Sequence, residues 1–407
     1  MTAVTPSGES FRDTRILGVI SVGHFISHMY FFTLPPIFLQ LRDAFGVSYT
    51  ELGLMMTLSF LATLVVQVPI GFMVDRYGAR INLAIGLVIL ACCHVLMGLA
   101  PNFYSIVALS IVAGAANSVF HPADYAILNS SITPTKMGRA FSIHTFAGHL
   151  GTAAAPVAMI FLATTFGWRV ALVAMGVFGL IIAVALATQW TVMREDKEDT
   201  KKNTADGKPA NGILAGLQML MSPLILIFFM FFLVLAAAVT GLSQFMIPAL
   251  ISMHGMSAES AATALSVFLL FSSVGVLIGG EVSDRFGRHG LVAAGVFLVT
   301  AALCALIAQW NMPLALLLAA MTIMGIGQGM IRPARDMMLR AVAPKESVGK
   351  IFGFASAGIA AGSAIAPIMF AYAVELGRPE WVFYLTAILM IAALPTVFVP
   401  AMGKKQQ

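Results

Sequence analysis

Ionisable side chains are scarce within the apolar stretches of this sequence, and those present fall in groups. Residues 313–341 carry Arg332, Arg335 and Asp336, whose i, i+3, i+4 spacing puts all three on one helical face. A charge at membrane depth costs roughly 2.5–3.5 kcal/mol on insertion scales, so such a group needs a reason. Arginine stays protonated and presents a planar fork suited to carboxylate or phosphate oxygens, so Arg332 and Arg335 are expected to attract an anion. The alternative is a structural pair in which Asp336 neutralises one arginine. Residues 104–130 carry His121, Asp124 and Tyr125, again on one face. Burial and a neighbouring guanidinium pull an aspartate in opposite directions, so Asp124 facing an arginine such as Arg335 is a proton-carrier candidate. A permanent Asp124–arginine pair is the competing reading. His24 and His28 stand at i, i+4, and His144 lies in another apolar stretch. They titrate near neutral pH, so they can relay protons or bind an anion, or simply hydrogen-bond between helices. No Cys or carboxylate stands near His24 and His28 in sequence, and no metal is expected there.

The elements that must position these groups follow from composition. The 407 residues are 59% hydrophobic and only 10% charged. A soluble chain of this size could neither bury that much apolar surface nor cover it. A bilayer accommodates it, because apolar helices of about 20 residues satisfy their own backbones. Twelve apolar stretches are expected to span the membrane. Lys and Arg concentrate in alternate connections, whereas the intervening loops hold only Arg42, Arg169 and Arg378. Both termini and the central loop are therefore expected in the cytoplasm. The net charge of +5 reflects this bias and is not read as a nucleic-acid signal. Cys92, Cys93 and Cys304 all lie in apolar stretches without metal spacing and read as packing residues.

The hydrophilic run Arg194–Asn211 cannot form a core and reads as a linker. It sets three expected regions: 1–193, a first six-helix bundle; 194–212, a cytoplasmic linker; and 213–407, a second six-helix bundle. The halves repeat each other. Gly71, Asp75, Arg76, Gly78 and Arg80 recur as Gly280, Asp284, Arg285, Gly287 and Arg288, and Pro122-Ala123 recurs as Pro333-Ala334, each roughly 210 residues later.

The G-x-x-x-D-R-x-G-x-R loop and its echo resemble the signature of the major facilitator superfamily. The resemblance implies an all-α membrane protein of twelve helices in two pseudo-symmetric six-helix bundles, with substrate bound between them at mid-membrane. It also implies a cytoplasmic gate at Gly71, Asp75, Arg76, Gly78, Arg80, Gly280, Asp284, Arg285, Gly287 and Arg288, with the two leading glycines allowing close helix approach. The plain alternative is that these charges only anchor the loops. The segments His24–Tyr30, Ser118–Tyr125, Phe141–Gly148 and Arg332–Asp336 look like the fosmidomycin-resistance type of bacterial facilitator. That likeness implies proton-driven export, with His24, His28, Tyr30, His121, Tyr125, His144, Arg332 and Arg335 toward substrate and Asp124 and Asp336 toward protons. The glycine-rich exporter pattern is only loosely present, as Gly148, Gly151 and Pro156.

The expectation is a proton-coupled antiporter for a small anionic or amphiphilic compound such as an antibiotic, monomeric, in a bacterial inner membrane. Proton-coupled uptake of an organic anion is the alternative. No nucleophile–base set, phosphate-cradling loop or cofactor motif is present, so neither an enzyme nor an ATP-driven pump is expected.

Overall fold

The computed structural model describes residues 6–133, 136–189, 221–286, 288–342 and 348–403. The expected linker and Gly287 lie outside them, as do the side chains of Asp75 and Asp284. All regular structure among the described residues is helical. The helices are α1 (Pro6–Tyr30), α2 (Phe38–Phe45), α3 (Tyr49–Tyr77), α4 (Ala79–Gly98), α5 (Phe103–Asn117), α6 (Phe120–Ser131) and α7 (Met137–Phe166). They continue with α8 (Trp168–Thr188), α9 (Pro223–His254), α10 (Ala258–Phe286), α11 (His289–Gln309), α12 (Leu314–Val342), α13 (Val348–Glu375) and α14 (Trp381–Gly403). Eleven spans among the described residues are long and apolar enough to cross a membrane, and Trp381–Val397 is a shorter apolar helix.

Two of the apolar stretches are broken, and both breaks shape the site. The first holds α1, a 3-10 turn Pro35–Ile37 and α2 in one span. Pro35 and Pro36 lack the N–H that would continue α1. The last four carbonyls of α1 would then be orphaned, and each finds a donor. Asn117 Nδ2 donates to Ser27 O, while the N–H groups of Phe31 and Phe32 serve His28 O and Met29 O. Thr33 Oγ1 serves Tyr30 O. The second break separates α5 from α6. Ser118 and Val119 make tight bonds back to Ala115 and Ala116, and Pro122 falls in the first turn of α6, where a missing N–H costs nothing. Pro333, the repeat counterpart of Pro122, instead lies inside the continuous α12.

The chain divides into two compact units, Met1–Ile37 with Leu58–Lys208, and Phe38–Thr57 with Pro209–Gln407. In the first unit α1 packs chiefly on α7 and α4 on α8. Gly151 lets α7 approach α1 closely, since a Cβ there would collide with the Phe25 backbone. In the second unit α10 packs on α12, α9 on α13 and α11 on α14. The Tyr49 N–H at the start of α3 donates to Glu375 Oε2 at the end of α13, 2.6 Å away, and Ser48 with Glu51 closes a reciprocal capping box. The α10–α12 seam is built from Gly275, Gly279, Gly325 and Gly329, small residues at the spacing that lets membrane helices touch backbone to backbone. This corrects the sequence expectation for Gly71 and Gly280. A Cβ at either would meet nothing within 4 Å.

A Cβ at Gly329 would stand 2.6 Å from the backbone of Gly275 and Val276. Gly329→Val is therefore expected to destabilise the protein by about 1–3 kcal/mol, whereas Gly280→Ala leaves stability unchanged. Thermal unfolding in detergent checks both. Equal midpoints for the two variants would contradict the packing described.

Candidate functional site

Three helices of the first unit bring their ionisable groups to one place. α1 supplies His24 and His28 one turn apart, α6 supplies His121, Asp124 and Tyr125 just after its break, and α7 supplies His144. His24 Nδ1 lies 3.0 Å and His144 Nε2 3.4 Å from the same oxygen, Asp124 Oδ2. Asp124 and His144 are fully buried and His24 is 3% exposed. The His24 and His144 rings stack 3.9 Å apart, and His24 meets His28 at 4.4 Å and His121 at 5.2 Å. His121 also lies 5.8 Å from His28, and Tyr125 lies 6.2 Å from His144. His121 and Tyr125 are exposed.

Local packing fixes this arrangement. Asn117 and Ser27 pin the end of α1 to the α5–α6 break, since Ser27 Oγ donates to His24 O while its own carbonyl accepts from Asn117. Gly148 on α7 leaves room for the His24 ring; a Cβ there would lie 2.5 Å from Cδ2 and 2.7 Å from Nε2. His28 Nδ1 pairs with Thr152 Oγ1, also on α7, at 3.2 Å.

Within its own unit the described partners of the Asp124 carboxyl are two imidazoles. Asp124 Oδ1 has no hydrogen-bond partner there. An isolated buried carboxylate is costly, so the cluster is best matched when it holds one proton. Either the carboxyl is neutral and donates its O–H to an imidazole nitrogen, or the carboxylate accepts N–H from an imidazolium. Such a group changes net charge by one with each proton it gains or loses. The three donor atoms of His24, Asp124 and His144 lie within 4.8 Å of one another, a span that a metal ion could bridge. His24 Nδ1 is hydrogen-bonded to Asp124 Oδ2, whereas His144 Nε2 lies 3.4 Å from that oxygen without a hydrogen bond.

The other candidates are placed elsewhere. Tyr30 is buried, its OH donating to Met175 O at 3.0 Å and its ring lying 4.0 Å from that of His94. His94 Nδ1 bonds Leu90 O at 2.8 Å, and Thr33 Oγ1 lies 2.9 Å from Nε2. Tyr30 thus belongs to a polar knot joining α1, α4 and α8, not to the histidine cluster. In the second unit Arg335 Nε pairs with Asp336 Oδ1 at 2.9 Å, and its guanidinium lies 4.3 Å above the Phe232 ring. Gly78 starts α4 with φ 98°, a conformation that favours glycine, and its carbonyl accepts from Asn82 Nδ2. Arg76 lies over the Tyr77 ring, 5.3 Å from its centroid. Arg80 opens α4, and Arg288 precedes α11. Arg285 pairs with Glu281 at 2.6 Å, but both are well exposed and the pair contributes little stability.

Sequence reasoning did not single out Thr152, Asn117 or His94. Nothing in their own spacing marks them, because each acquires its role from a partner on another helix. Gly148 was visible only as part of a loose glycine pattern.

The sequence matches the profile of the Major Facilitator Superfamily over residues 20–249 and 233–406. It is similar to the fosmidomycin resistance protein of Escherichia coli, 27% identical over 281 residues, covering 68% of this chain and 67% of that protein. A hexuronate transporter of Bacillus subtilis is 24% identical over 272 residues, 64% of this chain and 63% of its own. Among solved structures, the nucleoside transporter NupG superposes with a TM-score of 0.79 at 14% identity, covering 95% of this chain and 99% of that one. A bacterial homolog of the human lysosomal transporter Spinster, inward-facing and unoccupied, gives 0.77 at 15% identity, covering 96% and 97%. These structural likenesses bear on the fold alone.

The knot around Tyr30 can be separated from transport. Tyr30→Phe removes the donor to a buried carbonyl and is expected to cost about 1–3 kcal/mol, read as a lower thermal midpoint. Transport per folded molecule should stay at the wild-type level. A loss of transport without a loss of stability would move Tyr30 to the substrate path.

Proposed function

The chain belongs to the Major Facilitator Superfamily, and from that premise we propose that it exports a small anionic or amphiphilic compound, such as an antibiotic, in exchange for protons. Membership makes it a multi-pass secondary transporter of small molecules and not an enzyme. The observation that carries the finer reading is the single buried oxygen of Asp124 shared by His24 and His144. A carboxyl group held this way by imidazoles supports Asp124 as the proton carrier.

The mechanism follows from charge. With the proton on the cluster, the buried site is neutral and one conformational preference is favoured. Loss of the proton leaves a net charge that the protein tolerates differently in its other state. A ligand shifts such an equilibrium only by its differential affinity for the two states, so proton and substrate exchange when each disfavours the other's state. The rings of His28, His121 and Tyr125 border the cluster on its accessible side, and Arg332 and Arg335 on α12 are the cationic groups offered to an anion. Asp336, paired with Arg335, tunes that charge and is a second site for proton coupling. The signature-loop residues Gly71 to Arg80 and Gly280 to Arg288 act as the cytoplasmic gate. The protein works as a monomer in a bacterial cytoplasmic membrane, with both termini in the cytoplasm and the 194–212 linker between two bundles.

Similarity to the fosmidomycin resistance protein supports export. Similarity to a hexuronate transporter supports a second reading, uptake of an organic anion together with protons. The sign of the pH dependence separates the two. Proteoliposomes are loaded with a panel of anionic antibiotics, fosmidomycin first, and with carboxylates, under an imposed pH gradient. Export by antiport moves substrate against the proton flow, and Asp124→Asn abolishes the dependence on the gradient. Movement of substrate with the protons would replace export by symport. Undiminished coupling in Asp124→Asn would remove Asp124 from the mechanism.

A further inference from the structure

Asp124 is fully buried, so a proton reaching it must cross at least one other group. The titratable rings of this cluster can be enumerated by helix: His24 and His28 on α1, His121 and Tyr125 on α6, and His144 and His149 on α7. Two of these touch the carboxylate directly, and both are buried. Of the rings around them, His121 and Tyr125 are the exposed ones. A phenol seldom exchanges protons near neutral pH, whereas an imidazole takes a proton on one nitrogen and releases one from the other. His121 meets the His24 ring edge-on at 5.2 Å, nearer than Tyr125 stands to His144. His24 is already oriented with Nδ1 toward Asp124. Its other nitrogen, Nε2, packs against Gly148 of α7, where a Cβ would stand 2.7 Å away.

We infer that His121 is the solvent-side relay through which Asp124 gains and loses its proton, with His24 as the connecting imidazole. The inference rests on the reading of Asp124 as proton carrier and assigns His121 a task distinct from holding substrate. A proton from water binds a ring nitrogen of His121 and passes to Nε2 of His24. His24 then releases the proton on Nδ1 to Asp124 Oδ2, leaving a neutral ring protonated on Nε2. Discharge by the same route runs in reverse and restores the starting tautomer, so no group is consumed. His121 is thus a positioning and relay residue that sets how fast Asp124 titrates, not where its titration equilibrium lies.

The test needs no substrate. Purified full-length transporter in lipid nanodiscs is taken through a pH jump while the carboxyl C=O band of protonated Asp124 is followed by infrared difference spectroscopy. Asp124→Asn identifies the band. In His121→Gln, which keeps the side chain's polarity but cannot relay, the band should follow the jump at least about tenfold more slowly. Its equilibrium midpoint should stay at the wild-type pH. In His121→Ala, added imidazole should restore the rate. Retained thermal unfolding midpoints confirm that both variants are folded. A wild-type rate in both variants would overturn the relay and leave Asp124 as carrier. So would a slowed response with a shifted midpoint and no recovery with imidazole, which marks a structural role. An Asp124 band that ignores pH in the wild-type protein would end both the relay and the proton-carrier reading.

Discussion

A carboxyl group held among membrane helices must have its charge matched, and most of the first unit is arranged around that requirement. Asp124 sits in a position with no access to water, and an unmatched anion there would cost more than most single interactions can return. The match comes from two imidazoles on two different helices, His24 hydrogen-bonded to one oxygen and His144 close beside it. A guanidinium would have locked the carboxylate in its charged form. Imidazole instead shares the proton, so the site can be either charged or neutral at modest cost.

That chemistry depends on how closely the helices approach. α1 and α7 come together across Gly148 and Gly151, where side chains would displace the His24 ring or the Phe25 backbone. The break between α5 and α6 serves the same end. It puts His121, Asp124 and Tyr125 in and just beyond the first turn of a new helix, whose entry is fixed by Ser118, Pro122 and the Asn117–Ser27 bond. The second unit uses the same device. Its α10–α12 seam is also lined by glycine, and its Arg335 is held by Asp336 and Phe232.

Much of the fold was legible in the sequence because a bilayer imposes length and apolarity on each span, and the repeated G-x-x-x-D-R-x-G motif identifies a duplicated unit. The cluster members His24, His28, His121, Asp124, Tyr125 and His144 were legible for a related reason: ionisable groups in apolar stretches are costly and stand out. Their pairing was not. The partners that Asp124 has within its own unit are on α1 and α7 and depend on a helix break that hydropathy does not reveal. Tyr30 was included by its neighbourhood in sequence, yet it sits toward the far end of α1's last turn and faces α4 and α8. Gly280 was credited with a close approach that belongs to its neighbour Gly279 and to Gly275, against partners on α12, and a Cβ at Gly71 would meet nothing within 4 Å.

The central claim is that Asp124 and substrate compete through one exchangeable proton. Proton release on binding tests it most directly. Purified transporter in weakly buffered detergent is mixed with a compound that the proteoliposome assay shows to be carried, and the released protons are counted with a pH-indicator dye. The account predicts release of about one proton per bound molecule in the wild-type protein, and none in Asp124→Asn even where the compound still binds. Binding without proton release in the wild-type protein, or equal release from Asp124→Asn, would contradict it.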